Sequence, residues 1–561
     1  MRLLNLVLLT GLLSWGAVTV PRTSSSAVKA PADKEAMARE IFEHLVEARG
    51  DSRVPKPHFV FSSIKDKGAK ASGGTITLEE AAYDVCASFG EDTETALAGL
   101  LAHELIHYYE KHEWEEGFIS TVKGAERSQA RDLSQAVKED LDAFKKDEIE
   151  ADYMGGFLAY MAGYNVSNVM PEVLEGIYRA YNLPDTLSKY PPLDQRKAIA
   201  TETHQQLSQL VDAFDMANLL AGLQAYDEAA TYYQFILEQF QSREMYNNAG
   251  VVYTLAAMPY FKKETLKYIY PVELDLNSRL KSQTRDVGTE KALREDHLQE
   301  AIIYFERAAH LDSNYPRAWL NLACAHTLMG QSLEEISGAD QLELASDHYL
   351  EAGLHARKTI RLAEKTGDTH IRANAYILLG ILAELEGKPG EVAANFDKGS
   401  ESELASLNKT ILKEGALPKL KAADPAPDGF MMEEQINELS LDDFRNTNLE
   451  WDRELTIGSG RNRLKLQSRS TGMDQSTILM HSVNRGRKYL LVQRTGDGYT
   501  GETAWELKRG AGREEIEDAY RSPDYLLPVS NGLWMIYDKQ QIIFQLENKQ
   551  LKRWYVFRKE L

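Results

Sequence analysis

Two histidines four residues apart with a glutamate between them, His103, Glu104 and His107 in the stretch HELIH, are the residues whose types and spacing point most directly to chemistry. Positions four apart on a helix share a face, so the two imidazoles can offer nitrogens to one metal ion. Glu104, one position beyond His103, reaches the side of that ion where a bound water sits, which is the place of a general base. Chance alone yields such a pentamer on the order of a few times in a hundred sequences of this composition. Two helical histidines can also be ordinary surface residues, so the pair needs a third ligand.

A candidate lies in KKDEIEADYMGGFLAYMAGY, where Glu148 follows His103 by 45 residues. Its carboxylate is the expected third ligand. Asp152, one turn further along the same face, is placed to accept a hydrogen bond from a ligand histidine and so fix its tautomer. Acidic runs such as the nearby KEDLDAFKKDE are ordinarily solvated helix faces. EADYMGGFLAYMAGY is too apolar and too rich in small residues for that, and reads as a helix packed tightly against another.

The elements that must position these groups fall in three segments. Residues 31–205 are mixed: HFVFSS and GGTITL read as short strands, and a helix is expected from Thr93 to about Tyr109, with Leu97, Leu100, Leu101, Leu105 and Ile106 at helical spacing and Asp92 and Glu94 at its start. Residues 206–420 are nearly all helical and repetitive. Trp319, Leu322, Ala323 and His326 follow Ala301, Phe305 and Ala308; similar sets occur at Tyr246, Ala249, Gly250 and Tyr253, at Ala345, Tyr349 and Ala352, at Tyr376, Leu379, Gly380 and Ala383, and at Val392 with Phe396. This resembles about four tetratricopeptide repeats, interrupted near 265–295 and 330–341, in which small residues let paired helices approach and aromatics fill the groove between them. A Pro-rich linker at 421–429 precedes residues 430–561, where the period changes to two and a β-rich domain is expected, ending in one helix (REEIEDAYRSP) and three strands. The expected fold class is therefore multidomain and mainly α, with an α+β peptidase-like domain, an α-solenoid and a small β-rich C-terminal domain.

HELIH followed by E-x-E-A-D-x-x-G resembles the HtpX/BepA-like zinc metallopeptidases, a group that includes the CAAX prenyl proteases. The resemblance covers roughly residues 35–205, with SGGTITL where that family has a strand at the edge of the cleft. A preceding signal and following repeats are most similar to its periplasmic members. It implies a zincin-like fold, one Zn2+ per chain held by His103, His107 and Glu148, Glu104 as general base, and Asp152 behind the ligands. Members often carry H-P-x-x-x-x-R after the third ligand, and in some that histidine plugs the open zinc position. Here KYPPLDQR puts Tyr190 in the place of the histidine and keeps Arg196. Tyr190 is either a hydroxyl donor to the oxyanion or a packed loop tyrosine. His112, five residues past His107, reads as a surface residue.

A chain of 561 residues with 43% hydrophobic residues is globular and long enough for two to four domains. Its net charge of −21 argues against nucleic-acid partners. Residues 1–30 read as a signal peptide, because Arg2 precedes an apolar run that ends at Pro21; the alternative is an uncleaved anchor, the only expected route to membrane association. Cys86 and Cys324 fall in different domains, so no disulfide is expected. Together with these features the resemblance implies a periplasmic zinc metalloendopeptidase acting on misfolded or stalled polypeptides, with an extended substrate pairing with the strand near GGTITL and repeats that recruit substrate or a protein partner. The competing expectation is a repeat scaffold of the cell envelope in which proteolysis is minor or regulatory.

Overall fold

A computed structural model describes residues 31–110, 132–182, 192–274, 290–335, 339–415 and 434–560, apart from 67, 165, 167–168, 240, 263, 437–438, 443–449, 459–462, 472–475, 484–487, 497–498 and 531. The signal segment 1–30, His112, Tyr190 and the linker 421–429 lie outside the described residues. The protein is mainly helical, with a separate β-rich C-terminal sheet domain. Among the described residues no helix is long and apolar enough to cross a membrane.

The first region packs α1 (Pro31–Arg49), a small sheet of β1 (His58–Ser62), β2 (Ala69–Ser72) and β3 (Thr75–Glu79), then α2 (Glu80–Ala87), α3 (Thr93–Tyr109), α4 (Asp132–Met161) and α5 (Met170–Ala180). Helix α3 spans the expected residues. It is apolar on nearly every side, so it is the buried centre of this region's core, with Leu97, Leu101, Leu105 and Ile106 all at most 1% exposed. The sheet order is β1-β3-β2, with β1 parallel and β2 antiparallel to β3. The GGTITL strand is thus central, its hydrogen-bonding edges taken by neighbours on both sides. The expectation that a substrate pairs with it is corrected: the edge strand packed beside α3 is β2, which the sequence reading did not find.

Helix α6 (Leu193–Gly222) runs unbroken through residue 205, the boundary expected between the first two regions. It pairs with α7 (Tyr226–Gln239) and leads into three helical hairpins: α8 (Arg243–Ala257) with α9 (Glu290–Leu311), α10 (Pro316–Glu334) with α11 (Ala339–Thr366), and α12 (Thr369–Leu385) with α13 (Pro389–Lys398), followed by α14 (Glu403–Glu414). One contact recurs in each hairpin. A Cβ added at Gly250, Gly330 or Gly380 would meet Phe305, Tyr349 or Phe396 at 2.6, 2.5 and 2.5 Å. Each glycine is the recess into which the second helix's aromatic fits. The interruption after α8 is no loose insertion where it is described: residues 264–274 lie along α10, α12 and α14, with Tyr268, Tyr270 and Val272 buried.

Eight strands form the C-terminal sheet in the order β4-β5-β6-β7-β11-β10-β9-β8: β4 (Arg453–Ile457), β5 (Leu464–Thr471), β6 (Ser476–Val483), β7 (Lys488–Thr495), β8 (Tyr525–Val529), β9 (Gly532–Tyr537), β10 (Ile542–Glu547) and β11 (Gln550–Glu560), all neighbours antiparallel. Helix α15 (Arg513–Tyr520) is followed by four strands, not three, because the short β8 precedes Gly532 and its Pro528 disguised it. Strand alternation gives the sheet two faces. Trp534 and Ile536 join the core of α6 and the hairpins, whereas Met535 and Tyr537 pack with Ile516 and Tyr520 of α15. Asp212 and Asp215 of α6 tie it to the sheet through Arg453 with Ser468 and through Arg494.

Candidate metal centre

The close approach of α3 and α4 builds the site. A Cβ at Gly155 would lie 2.9 Å from the backbone nitrogen of His103 and 3.0 Å from its Cα, so only glycine lets the two helix backbones meet there. That contact brings Glu148, two turns earlier on α4, opposite both histidines. His103 Nε2 is 3.0 Å from His107 Nε2 and 3.6 Å from Glu148 Oε2, and His107 Nε2 is 3.2 Å from Glu148 Oε1. His103 and Glu148 are buried and His107 is nearly so. Glu104, between the histidines on α3, is buried at 9% exposure.

Behind the donors lies a charged pair. Asp152 Oδ1 is 2.9 Å from His103 Nδ1, an ionic contact bent outside hydrogen-bond geometry. Arg196, in the first turn of α6, donates from Nε and Nη2 to the two oxygens of Asp152 at 2.8 and 2.6 Å, and its Nη1 is 3.7 Å from Glu148 Oε2. This fork is the strongest arrangement open to a guanidinium and a carboxylate. Burial would lower the His103 pKa, but Asp152 and Glu148 outweigh it and drive the group up to about 10. Burial would raise Glu148, yet His103, His107 and Arg196 hold it well below the usual carboxylate range. Asp152 is likewise lowered, with Arg196 and His103 overcoming burial.

These residues fit a small divalent cation. Donors about 2.0–2.1 Å from a tetrahedral ion stand about 3.3 Å apart, and the three separations here bracket that value at 3.0, 3.2 and 3.6 Å. Glu148 Oε2 is buried without a hydrogen-bond partner among the described residues, an orphan that a cation satisfies. With Nδ1 of His103 turned to Asp152, its Nε2 faces the other Nε2, and two imidazole lone pairs at that range repel unless a proton or cation lies between them. Glu148, Asp152 and Arg196 leave one negative charge uncompensated, which either can balance. The group His103, His107 and Glu148 could therefore hold a metal ion, and it is the one such set of three among the described residues.

No protein-family model matches the sequence, and no curated protein matches it.

The structure brings His103, His107, Glu148 and Asp152 together. Two contributors were missed. Arg196 was seen as a retained motif residue without a role, and its partner could not be read from spacing because it sits on another helix. Gly155 was visible only as one of several small residues. Cys86 and Cys324 are both free and fully buried, in α2 and α10.

Proposed function

We propose that the protein is a zinc-dependent metalloendopeptidase of exported polypeptides, with a zincin-like α+β domain, a tetratricopeptide solenoid and a β-rich tail. The observation that carries this reading is the convergence of His103, His107 and Glu148, buried and with one orphaned oxygen, next to a buried glutamate on the same helix. The recurring glycine–aromatic recess in three hairpins supports the repeat assignment.

His103 and His107 through Nε2 and Glu148 through its carboxylate would hold one zinc ion. When bound, the ion lowers the pKa of a water toward neutrality and polarises a carbonyl. The Asp152 carboxylate, 2.9 Å from His103 Nδ1, would favour the proton on that nitrogen and leave Nε2 as the lone-pair donor. Arg196 compensates Asp152 and Glu148, so that these carboxylates stay ionised while buried. Glu104 accepts the proton of the attacking water and returns it to the leaving amine. An extended substrate aligns along the edge of β2, where backbone hydrogen bonds make little demand on sequence, as suits misfolded or stalled chains.

Metal analysis of the purified full-length chain is expected to find one zinc per chain, reduced at least tenfold by Glu148→Ala. Glu104→Gln is expected to keep the zinc and lose cleavage of unfolded casein. A purified chain without tightly held metal, or Glu104→Gln cleaving at the wild-type rate, would refute the assignment.

A further inference from the structure

Residues 264–274 lie against the helices in the way a ligand lies in a receptor. The segment runs antiparallel to α10 and α12: Gln331, near the end of α10, donates to the carbonyl of Thr265 at 3.0 Å, and Asn321, nearer its start, meets Glu273. From Ile269 to Glu273 its backbone is held by side-chain amides, and at its end Leu274 pairs with β8, its amide donating to the Pro528 carbonyl at 3.2 Å and its carbonyl accepting from the Ser530 amide at 2.9 Å. Asn408 of α14 accepts from the amide of Ile269 and donates to its carbonyl, both at 2.9 Å. Asn321 does the same at Glu273, both at 2.8 Å. The bonded positions Thr265, Ile269 and Glu273 recur every fourth residue, and the two-way amide contacts at Ile269 and Glu273 read the backbone without reading its side chains.

One side chain is read specifically. The Glu273 carboxylate, fully buried, accepts from Arg317 Nε at 2.7 Å and Asn374 Nδ2 at 3.3 Å, with His370 Nε2 at 3.4 Å. Tyr268 and Tyr270 are buried on the way to it, the latter donating its hydroxyl to Gln331. The receptor side is arranged in advance. Asn321 also donates to Asn247 at 2.8 Å, and Asn247 to Asn248 at 3.2 Å, so a chain of amides orients the reading group from behind. Beside the anchor a cavity of about 250 Å3 opens between α12, α14 and the β8–β10 edge. Asn374 lines it, and its buried Oδ1 has no hydrogen-bond partner among the described residues.

We infer that the face shared by α10, α12 and α14 is a peptide-binding groove, that residues 264–274 are its internal occupant, and that it takes a partner polypeptide presenting a segment with aromatic residues ahead of a glutamate. Entry is an exchange. In an empty groove the buried Oδ1 of Asn321 and both ends of the Asn408 amide would lose the partners they have in the segment, so the internal segment leaves only as a competing backbone replaces it. The inference stands independently of the metal centre.

The test uses the full-length chain carrying Glu104→Gln, so that cleavage does not enter, and a fluorescent peptide of residues 264–274. Weakening the internal segment with Tyr270→Ala and Glu273→Ala is expected to raise peptide affinity, read by anisotropy, at least tenfold. Adding Asn321→Ala or Asn408→Ala is expected to remove that gain, and a peptide with glutamine at the anchor to bind at least tenfold more weakly. Equal affinity of weakened and unweakened chains with the same helical circular dichroism overturns the inference. Should the weakened chain not fold, hydrogen–deuterium exchange of the unweakened chain decides. Excess peptide is expected to speed exchange of the chain's own Ile269 and Glu273 amides at least tenfold, and unchanged protection overturns the inference as well.

Discussion

Replacing Gly155 by alanine puts a methyl group between two helices whose backbones already touch. The new Cβ would lie 2.9 Å from His103 N, 3.0 Å from its Cα and 3.2 Å from Ala102 C. Backbone atoms cannot rotate aside, and comfortable carbon contacts begin at about 3.5 Å, so α4 must retreat by roughly half an ångström. Alanine gains about 0.5–1 kcal/mol over glycine inside a helix, whereas overpacking costs about 1–3 kcal/mol. The net stability change is thus a loss of about 0–2.5 kcal/mol. The site is the more sensitive reporter. Glu148 travels with α4, functional donors tolerate about 0.5 Å of displacement, and losses of positioning around metal ligands cost about 10–100-fold in affinity. Zinc affinity by competition with a chromophoric chelator, and urea unfolding in chelator, are to be compared for wild type, Gly155→Ala and Gly390→Ala. At Gly390 the added Cβ meets nothing within 4 Å, so that variant is expected to keep zinc affinity and gain up to about 1 kcal/mol. If Gly155→Ala behaves like Gly390→Ala in both measurements, the helix contact does not set the donor geometry.

Arg196→Met leaves Asp152 and Glu148 without their buried counter-charge; a loss of about 3–5 kcal/mol is expected in urea unfolding of the metal-free chain, and a smaller one with zinc bound. Burial would raise Glu273, but Arg317 and His370 hold it at about 2. A carboxylate lowered on folding stabilises above its unfolded value of about 4.5, so stability is expected to fall from pH 4.5 toward 2, and less steeply in Glu273→Gln; equal acid profiles would refute the anchor. Burial pushes the Cys86 thiol up to about 12 and the Cys324 thiol well above its ordinary value. Neither is expected to react with a thiol reagent until the chain unfolds, and rapid labelling of the native protein would contradict their burial.

What could be read from the sequence was local or periodic. The motif helix was legible because its apolar spacing, its acidic start and its paired histidines lie within 17 residues. Glu148 and Asp152 were legible because acids beside small residues mark a helix that must pack closely. The hairpins could be read through Gly250, Gly380 and their aromatics. What failed depends on pairing across the chain. Strand β2 (AKAS) carries almost no apolar signal, so the edge of the small sheet was assigned to its centre. The segment before Glu273 read as an interruption because asparagines on distant helices satisfy its backbone, and no pattern within ten residues shows that. The partner of Arg196 was hidden for the same reason.

Helix α6 holds Arg196 in its first turn and Asp212, Asp215 and Gly222 further on, where the sheet is fastened. About 24 Å of continuous helix separates Arg196 from Asp212 at 1.5 Å per residue. A rod of that kind transmits torque: whatever tilts the C-terminal sheet turns the shaft, and the guanidinium at its far end swings against the two carboxylates it neutralises. Trimming the tail to obtain a shorter chain would therefore strip Asp212 of its cation and loosen the bearing on which the distant end is held.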